Sequence, residues 1–400
     1  MNFLRSERWG AALLLIAAVL GLLVANLPFG ADVLAVKNEH IDLPWLGLDL
    51  SLGHWISDGL LAIFFFIVAV ELKRELVIGE LNSLSKALLP AIAAVGGVVV
   101  PALIFVAFTA GTETIDGWPI PTATDIAFAL GVLAMFGTWI PTRVRVFLLA
   151  LAVLDDLIAI IIIAFFFTSG ADLAALGFAG IAIALFGAVS RLMKPRSNWI
   201  LSRRPQWPVN VALILLGVVA WYFVYQSGVH ATIAGVALGL VMARRPGGRA
   251  VHTLEPWSNG VILPLFAFSA AMVVVPQVRP SELDPAFWGI LVALPVGKIV
   301  GITLAGGIGG LVARRRSGTP LTFVDLLVVG ALGGIGFTVS LLMNELAFAG
   351  LPDVADEGTL AVLLGSGVSM VASAVFVSLR SRQYRRSGGT QPGVGGPFSH

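Results

Sequence analysis

Long apolar blocks separated by short polar stretches run along almost the whole chain. Each block is close to the ~20 residues that a helix needs to cross the ~30 Å hydrocarbon core of a bilayer. A helix satisfies its backbone hydrogen bonds within one segment, so the pattern predicts an all-α polytopic membrane protein with twelve transmembrane helices. The predicted spans lie near residues 11–28, 57–78, 87–108, 119–136, 145–168, 173–193, 208–225, 227–243, 258–275, 286–312, 323–348 and 359–379.

Two stretches depart from this pattern. Residues 43–52, LPWLGLDLSL, alternate apolar and polar positions, which predicts a short hairpin that we place on the outer face. Residues 381–400, which end in SGGTQPGVGGPFSH, are expected to be a disordered cytoplasmic tail. Residues 1–380 are therefore expected to form a single transmembrane domain.

Basic residues cluster at the ends of alternate predicted spans. Of the 25 lysines and arginines, all except Lys37, Arg279 and Lys298 fall on one side of the predicted membrane. The loops on the other side carry acidic residues instead. By the positive-inside rule the basic side is the cytoplasm, so both termini are predicted to be cytoplasmic.

Composition agrees with a membrane protein and excludes several other classes. Hydrophobic residues make up 58% of the chain and charged residues only 12%, whereas soluble domains carry about 25% charged residues. The formal net charge of +2 gives no indication of a nucleic-acid partner. The absence of cysteine excludes disulfides, thiolate metal sites and cysteine nucleophiles.

The fifth predicted span carries two adjacent acids, Asp155 and Asp156, near its centre. Two such charges cost about 5–7 kcal/mol to insert, so the pair must face protein or water. Carboxylate oxygens suit small hard cations, and neighbouring carboxylates in a poorly solvated site also take up protons. Competition between the two ions predicts cation/proton exchange, while a structural pair neutralised by Arg or Lys from another helix is the alternative.

The fourth predicted span contains WPIPTATDIAFALG, in which Pro119 and Pro121 precede Thr124 and Asp125. Proline lacks an amide donor and Thr and Asp side chains bond to local backbone, so we expect an interrupted helix. Asp125 would then compensate positive helix ends, and Thr124 would offer an oxygen to an ion. An N-cap role for Asp125 near the interface explains the residue equally well.

Lys298, in LPVGKIVGI, is the basic residue that lies within a span. A deep ammonium needs an acid or helix C-terminal carbonyls, and Asp155 or Asp156 is the obvious partner. The alternative is that the side chain reaches the interface. Arg314 marks the cytoplasmic end about 24 Å further along a straight helix, which makes this alternative unfavourable.

The eleventh predicted span contains a glycine-rich stretch, GALGGIGFTVS. Gly333, Gly334 and Gly336 weaken a helix there and predict a second break. Two interrupted segments in corresponding positions are typical of an inverted-repeat transporter with its site at the membrane midplane. Tight helix packing through small residues is the alternative explanation.

Five motifs together resemble the NhaA family of bacterial sodium/proton antiporters: TATDIAFALGVLA, LAVLDDLIAIIIIAFF, SGVHATIAGV, ILPLFAFSA and GGIGFTVS. The resemblance runs in order through residues 8–380. It implies an inverted-repeat fold in which helices four and eleven are interrupted and cross. It also implies a secondary transporter rather than an enzyme, without cofactors, in the bacterial inner membrane. Such a protein exports Na⁺ or Li⁺ against about two H⁺, and the hairpin near 43–52 resembles the family's homodimer contact.

The resemblance also assigns roles to single residues. Asp155 and Asp156 match the Na⁺-binding pair, Thr124 a proposed ligand, Asp125 the acid at the crossing, and Lys298 the lysine that pairs with Asp155 and carries a proton. A cytoplasmic cluster that activates transport at alkaline pH is matched by Glu71, Arg74 and Glu75 and, in the loop RAVHTLEPW, by His252 and Glu255. Two departures are that Ile299 stands where better-known members have proline, and that the acid and histidines of this loop are arranged differently.

Two other functions compete with ion exchange as explanations of the sequence. A sodium-coupled symporter of an organic anion needs a cationic or polar pocket for its solute, and the spans offer only Lys298. An intramembrane aspartyl enzyme needs two acids from different helices, which an adjacent pair on one helix does not supply.

Overall fold

The computed structural model describes residues 7–79, 81–168, 170–194, 197, 205–313 and 321–387, which are mostly helical. The longer helices are Glu7–Ala25, Leu61–Val77, Leu84–Thr109, Thr142–Phe166, Leu173–Ser190, Trp207–Gln226, Arg244–Trp257, Lys298–Ala313 and Pro352–Arg386. The shorter helices are Gly30–Lys37, Ile126–Phe136, Thr232–Val241, Leu263–Ala270, Pro285–Val292, Phe323–Gly333 and Thr338–Ala347.

Helices that can cross a membrane dominate the described residues. Seven are long and apolar enough by themselves: Leu52–Val77, Lys86–Thr109, Thr142–Phe166, Leu173–Met193, Trp207–Gln226, Pro285–Leu311 and Pro352–Arg386. Three further helix pairs qualify together but are bent, by 115° after Ala25, by 42° after Thr122 and by 53° after Gly333. Counting each bent pair as one span gives up to ten, so the polytopic helical class is supported and the number twelve stays a prediction.

Two of the twelve predicted spans are shorter in the structure than the sequence pattern indicates. The eighth is the helix Thr232–Val241, and the ninth contains the helix Leu263–Ala270 behind a π-helical turn, Ser258–Ile262. Between them the predicted loop is wrong, because residues Arg244–Trp257 form a helix. That helix packs against Leu61–Val77.

The chain divides into two compact units. Of the described residues, those within 12–79 and 157–275 belong to the first unit, and those within 7–11, 81–156 and 276–387 belong to the second. In the first unit the helices Leu61–Val77 and Thr232–Val241 approach closely, because Gly235 and Gly239 lie directly against the facing backbone.

The predicted hairpin is present in the first unit. Strands His40–Leu43 and Leu48–Ser51 pair antiparallel, with Leu43 opposite Leu48. A 3₁₀ turn, Pro44–Leu46, and a left-handed Gly47 with φ of 61° connect them. Glycine suits this position because it carries no Cβ to oppose a positive φ.

The second unit is built around two closely packed helices, Leu84–Thr109 and Lys298–Ala313. Gly301 lies against the backbone of Gly96, which allows the axes to approach. A π-helical turn, Ala293–Gly297, comes directly before Lys298. Such turns insert one extra residue and re-aim the side chains that follow, often at functional sites.

The last helix extends further than expected. It runs from Pro352 to Arg386, so the tail predicted to begin at residue 381 is helical over its first six residues. Ser381 is buried and its hydroxyl accepts a hydrogen bond from the Trp139 backbone amide at 3.2 Å, so the start of the predicted tail packs against the rest of the second unit. Residues 388–400 lie outside the described residues.

Candidate functional site

The first interrupted segment breaks where the Pro-Thr-Asp pattern predicts. A 3₁₀ turn, Ile120–Thr122, ends in extended backbone, and the helix Ile126–Phe136 begins after Asp125. The Thr122 hydroxyl closes the turn by donating to the Pro119 carbonyl at 2.7 Å. Thr124 and Asp125 therefore lie in the break and not on a helix face.

The second interrupted segment breaks at the predicted glycines. Gly333 is the last residue of the half-helix Phe323–Gly333, and Gly334 and Gly336 lie before the half-helix Thr338–Ala347. A Cβ on Gly336 would lie 2.6 Å from the Ala123 carbonyl oxygen and 2.7 Å from Ser340 Oγ. Only glycine fits there, since the two breaks lie against each other.

Backbone and side-chain hydrogen bonds join the two breaks. The Asp125 amide donates to the Ile335 carbonyl at 2.6 Å, and the Ser340 hydroxyl donates to the Ile120 carbonyl at 2.7 Å. Asp125 Oδ2 accepts bonds from the Thr338 hydroxyl at 2.8 Å and the Thr338 amide at 3.2 Å.

Asp125 occupies the start of two helices at once. Its Oδ1 accepts a bond from the Phe128 amide at 3.2 Å, as an N-cap does, while Oδ2 binds the first residue of Thr338–Ala347. Helix N-termini carry partial positive charge, so one buried carboxylate stabilises both ends. The sequence leaves two interpretations of Asp125 open, an N-cap and a carboxylate that compensates positive helix ends. The contacts of its two oxygens are compatible with both.

Asp155, Lys298 and Thr124 form a buried cluster beside the breaks. Lys298 Nζ donates to Asp155 Oδ2 at 2.8 Å and to Thr124 Oγ1 at 3.0 Å. Thr124 Oγ1 lies 2.7 Å from Asp155 Oδ2 and 2.9 Å from the Gly333 carbonyl oxygen. The side chains of Lys298 and Asp155 have no solvent exposure.

One carboxylate oxygen of this cluster is unusual. Asp155 Oδ1 is buried and, among the described residues, has no hydrogen-bond partner. It is the one carboxylate oxygen among the twelve buried side-chain nitrogen and oxygen atoms that lack a partner in the described part of the chain. A buried charged atom without a partner calls for an explanation, such as a bound ion. Asp156, the next residue on the helix Thr142–Phe166, is also buried at 7% exposure. Carboxylate and hydroxyl oxygens of this kind are the ligands that small hard cations prefer.

The departure at Ile299 leaves the helix intact. Lys298–Ala313 is continuous, and the irregular geometry lies on the other side of Lys298, in the π-helical turn that contains Pro295. Lys298 is therefore the first residue of a regular helix that follows directly after the π-helical turn.

Glu71, Arg74, Glu75 and Glu255 of the predicted regulatory cluster come together in the first unit. Glu71, Arg74 and Glu75 lie on the helix Leu61–Val77. The Glu71 carboxyl interacts electrostatically with Glu255 as well as with Arg74 and Glu75. His252 lies three residues before Glu255 on the same helix and is exposed. Their regulatory role stays a prediction.

Several polar groups at the site were not identified from the sequence. Thr338 and Ser340 stand in the quoted motif GGIGFTVS, and polar residues directly after a glycine break were the available signal. The Gly333 and Ile335 carbonyls carry no sequence signal, because they are backbone groups whose position depends on the fold. A buried network at Asp325 and Arg380 was also missed.

Comparison with known proteins identifies the family. The family model described as Na⁺/H⁺ antiporter 1 matches residues 1–377. The chain belongs to this family. Members of the Na⁺/H⁺ antiporter 1 family are transporters, and the apolar helices of this member make it an integral membrane protein.

Relatives with the name Na⁺/H⁺ antiporter NhaA occur in several bacteria. The chain is 62% identical over 388 residues to NhaA 2 of Clavibacter michiganensis subsp. michiganensis (strain NCPPB 382), covering 97% of this chain and 94% of that protein. It is 46% identical over 406 residues to NhaA of Tropheryma whipplei (strain Twist), covering 100% of both. Identity to NhaA 3 of Streptomyces coelicolor (strain ATCC BAA-471 / A3(2) / M145) is 43%, over 96% of this chain and 80% of that protein.

Proposed function

We propose that this protein exchanges Na⁺ for H⁺ across a bacterial inner membrane, exporting Na⁺ from the cytoplasm. The observation that carries the proposal is the buried carboxylate of Asp155, which binds Lys298 and Thr124 through one oxygen and leaves the other without a partner. The names of the NhaA relatives support the same two ions.

Exchange follows from competition for the same oxygens. When no cation is bound, Lys298 neutralises Asp155, and Asp156 holds a proton. A Na⁺ ion bound at the two carboxylates replaces the Lys298 ammonium at Asp155 and the proton at Asp156. It does so because a positive metal ion disfavours protons and ammonium groups on the same ligands. The site then alternates between a protonated form and a cation-bound form, and each ion expels the other.

The same scheme accounts for charge movement. Asp156 and Lys298 are two groups that can each release a proton when Na⁺ binds. Release of both would exchange about two H⁺ for one Na⁺ and make transport electrogenic, driven by the membrane potential. Li⁺, a smaller hard cation, is proposed as a second substrate for the same oxygens.

Other features of the proposal concern the whole protein. We place both termini in the cytoplasm and assign twelve spans, of which the fourth and eleventh cross at the breaks. Alkaline activation is assigned to the cluster of Glu71, Arg74, Glu75, His252 and Glu255. The hairpin His40–Ser51 is proposed as the contact of a homodimer.

The geometry does not favour symport of an organic anion. Such a substrate needs an available cationic group, and Lys298 is the buried basic side chain of the described spans. Its ammonium is already bound by Asp155 and Thr124. An aspartyl enzyme requires two facing acids from separate helices, whereas Asp155 and Asp156 are neighbours on one helix. Asp125, on another segment, is bonded through both carboxylate oxygens to the starts of two helices.

The proposal is tested with Asp156→Asn in inverted membrane vesicles that carry a pH gradient. Addition of Na⁺ to wild-type vesicles should collapse the gradient, and the variant should show no response although it inserts at normal levels. Asp353→Asn, the same charge change at an exposed position of the last helix, serves as the matched control. An unchanged Na⁺ response in Asp156→Asn would refute the assignment of this pair.

A further inference from the structure

A further buried carboxylate lies in the same unit, at the end of the half-helix Phe323–Gly333 opposite to the end that reaches the cation site. Asp325 is the third residue of the half-helix Phe323–Gly333 and has no solvent exposure. Arg380 Nε donates to its Oδ1 at 2.9 Å, and the Tyr384 hydroxyl lies 2.9 Å from the same oxygen. The Thr322 amide donates to Oδ2 at 3.1 Å. These four residues are called the Asp325 anchor below.

The Asp325 anchor fixes the start of the half-helix to the last helix, Pro352–Arg386. Arg380 Nη2 also donates to the Thr322 hydroxyl at 2.7 Å, and the guanidinium carbon lies 4.4 Å from the Tyr384 ring centroid. Every polar atom of the carboxylate is thus bonded. Loss of one partner from a buried charged network leaves the other uncompensated, so the attachment is strong.

The other end of this half-helix reaches the cation site. Gly333 is the last residue of the half-helix, so its carbonyl has no backbone amide donor within the helix. The Gly333 carbonyl oxygen lies 2.9 Å from Thr124 Oγ1. The half-helix packs against both Lys298–Ala313 and Pro352–Arg386. Eleven residues at 1.5 Å each make a rod about 16 Å long, so the position of one end determines the position of the other.

The Gly333 carbonyl is an alternative acceptor for the Thr124 hydroxyl hydrogen, and this choice determines which oxygens are available to a cation. The Thr124 hydroxyl has one hydrogen and two acceptors within reach, Asp155 Oδ2 at 2.7 Å and the Gly333 oxygen at 2.9 Å. A hydrogen directed at Asp155 occupies a lone pair that a cation needs. A hydrogen directed at Gly333 leaves both the carboxylate and the hydroxyl oxygen available as cation ligands.

We propose that Arg380 and Tyr384, acting through Asp325, are positioning residues for the cation site. They hold the Gly333 carbonyl where it accepts the Thr124 hydrogen when Na⁺ binds. This inference rests on the proposed Na⁺/H⁺ exchange and adds a determinant of Na⁺ affinity at the far end of the half-helix, which is about 16 Å long.

The first test compares Na⁺ dependence in proteoliposomes. Arg380→Ala should raise the apparent KM for Na⁺ about three- to tenfold, a range typical of mutations that act on a site through intervening structure, while the rate at saturating Na⁺ stays near wild type. Arg380→Lys should recover part of the loss, and Tyr384→Phe, which removes one hydroxyl, should give a smaller rise. Arg382→Ala, on the same turn and exposed, should match wild type.

A double-mutant cycle distinguishes an effect on the Gly333–Thr124 contact from a general destabilisation of the fold. Calorimetric Na⁺ dissociation constants are measured for wild type, Arg380→Ala, Thr124→Val and the double variant. Without the Thr124 hydroxyl, Arg380→Ala should weaken Na⁺ binding no further. An equal loss in both backgrounds would overturn the proposal, as would an unchanged constant in Arg380→Ala and Tyr384→Phe. Wild-type protein that fails to exchange Na⁺ for H⁺ would instead contradict the proposed function.

Discussion

The ammonium of Lys298 lies 2.8 Å from Oδ2 of Asp155, and neither side chain is exposed to solvent. This pair joins the helix Thr142–Phe166 to the helix that starts at Lys298, beside the two breaks. Burial of an ion pair has a large desolvation cost, and removal of one partner costs more because the other charge stays buried without compensation.

Removal of the ammonium is expected to destabilise the fold. Lys298→Met leaves the Asp155 carboxylate buried without its cationic partner, which should cost about 3–5 kcal/mol. The measurement is the melting temperature of the detergent-solubilised protein in K⁺ buffer. Asp155→Asn in the Lys298→Met background removes the uncompensated charge and should restore most of the loss, and a double variant as unstable as Lys298→Met would contradict this explanation.

The hydroxyl of Thr338 is expected to stabilise the contact between the two breaks. Thr338→Val keeps the shape of the side chain and deletes the donor 2.8 Å from Asp125 Oδ2. Loss of one bond to a buried carboxylate should lower the free energy of unfolding by about 1–3 kcal/mol. Thr338→Ser retains the donor and should lie close to wild type, so equal melting temperatures for Val and Ser variants would argue against the bond.

Close approach of the breaks is expected to exclude any side chain at Gly336. Gly336→Ala places a Cβ against the Ala123 carbonyl and Ser340 Oγ, and should cost about 1–3 kcal/mol or more through overpacking. Gly307→Ala is the matched control, because no heavy atom lies within 4 Å of its Cβ position on a helix. Melting curves should show a clear loss at position 336 and none at 307.

Sodium binding is expected to stabilise the folded protein. A ligand that binds only the folded state adds about 2.7 kcal/mol at a concentration one hundred times its Kd. Thermal unfolding in NaCl should therefore occur at higher temperature than in KCl of equal ionic strength. Asp156→Asn should lose the difference between the two salts, and a variant that keeps it would place the cation elsewhere.

Asp155 and Lys298, which the sequence marks as chemically expensive, lie together in the structure beside the two breaks, and their role in ion binding stays a prediction. Adjacent acids at mid-span, a lone lysine, and proline and glycine breaks are each costly in an apolar helix, so their positions alone indicated the site. The residues alone leave the partner of Lys298 open between the two acids, the family resemblance implies Asp155, and in the structure Lys298 Nζ donates to Asp155 Oδ2.

Features that depend on tertiary contact were not predictable. The carbonyls of Gly333 and Ile335 acquire partners only when the breaks meet. The π-helical turn before Lys298 is a one-residue insertion that leaves the apolar pattern unchanged. The helix Arg244–Trp257 was missed because RRPGGRAVHTLEPW contains residues that disfavour helices, and its packing against Leu61–Val77 overrides that local preference.

Na⁺ and H⁺ displace each other at Asp155 and Asp156 in the proposed exchange. The most direct measurement is calorimetric titration of the purified protein with NaCl in buffers of different ionisation enthalpy. We expect the heat of Na⁺ binding to change from buffer to buffer, because bound Na⁺ releases protons that the buffer takes up, and Asp156→Asn to lose this dependence. Saturable Na⁺ binding with the same heat in every buffer, at all pH values, would contradict the claim.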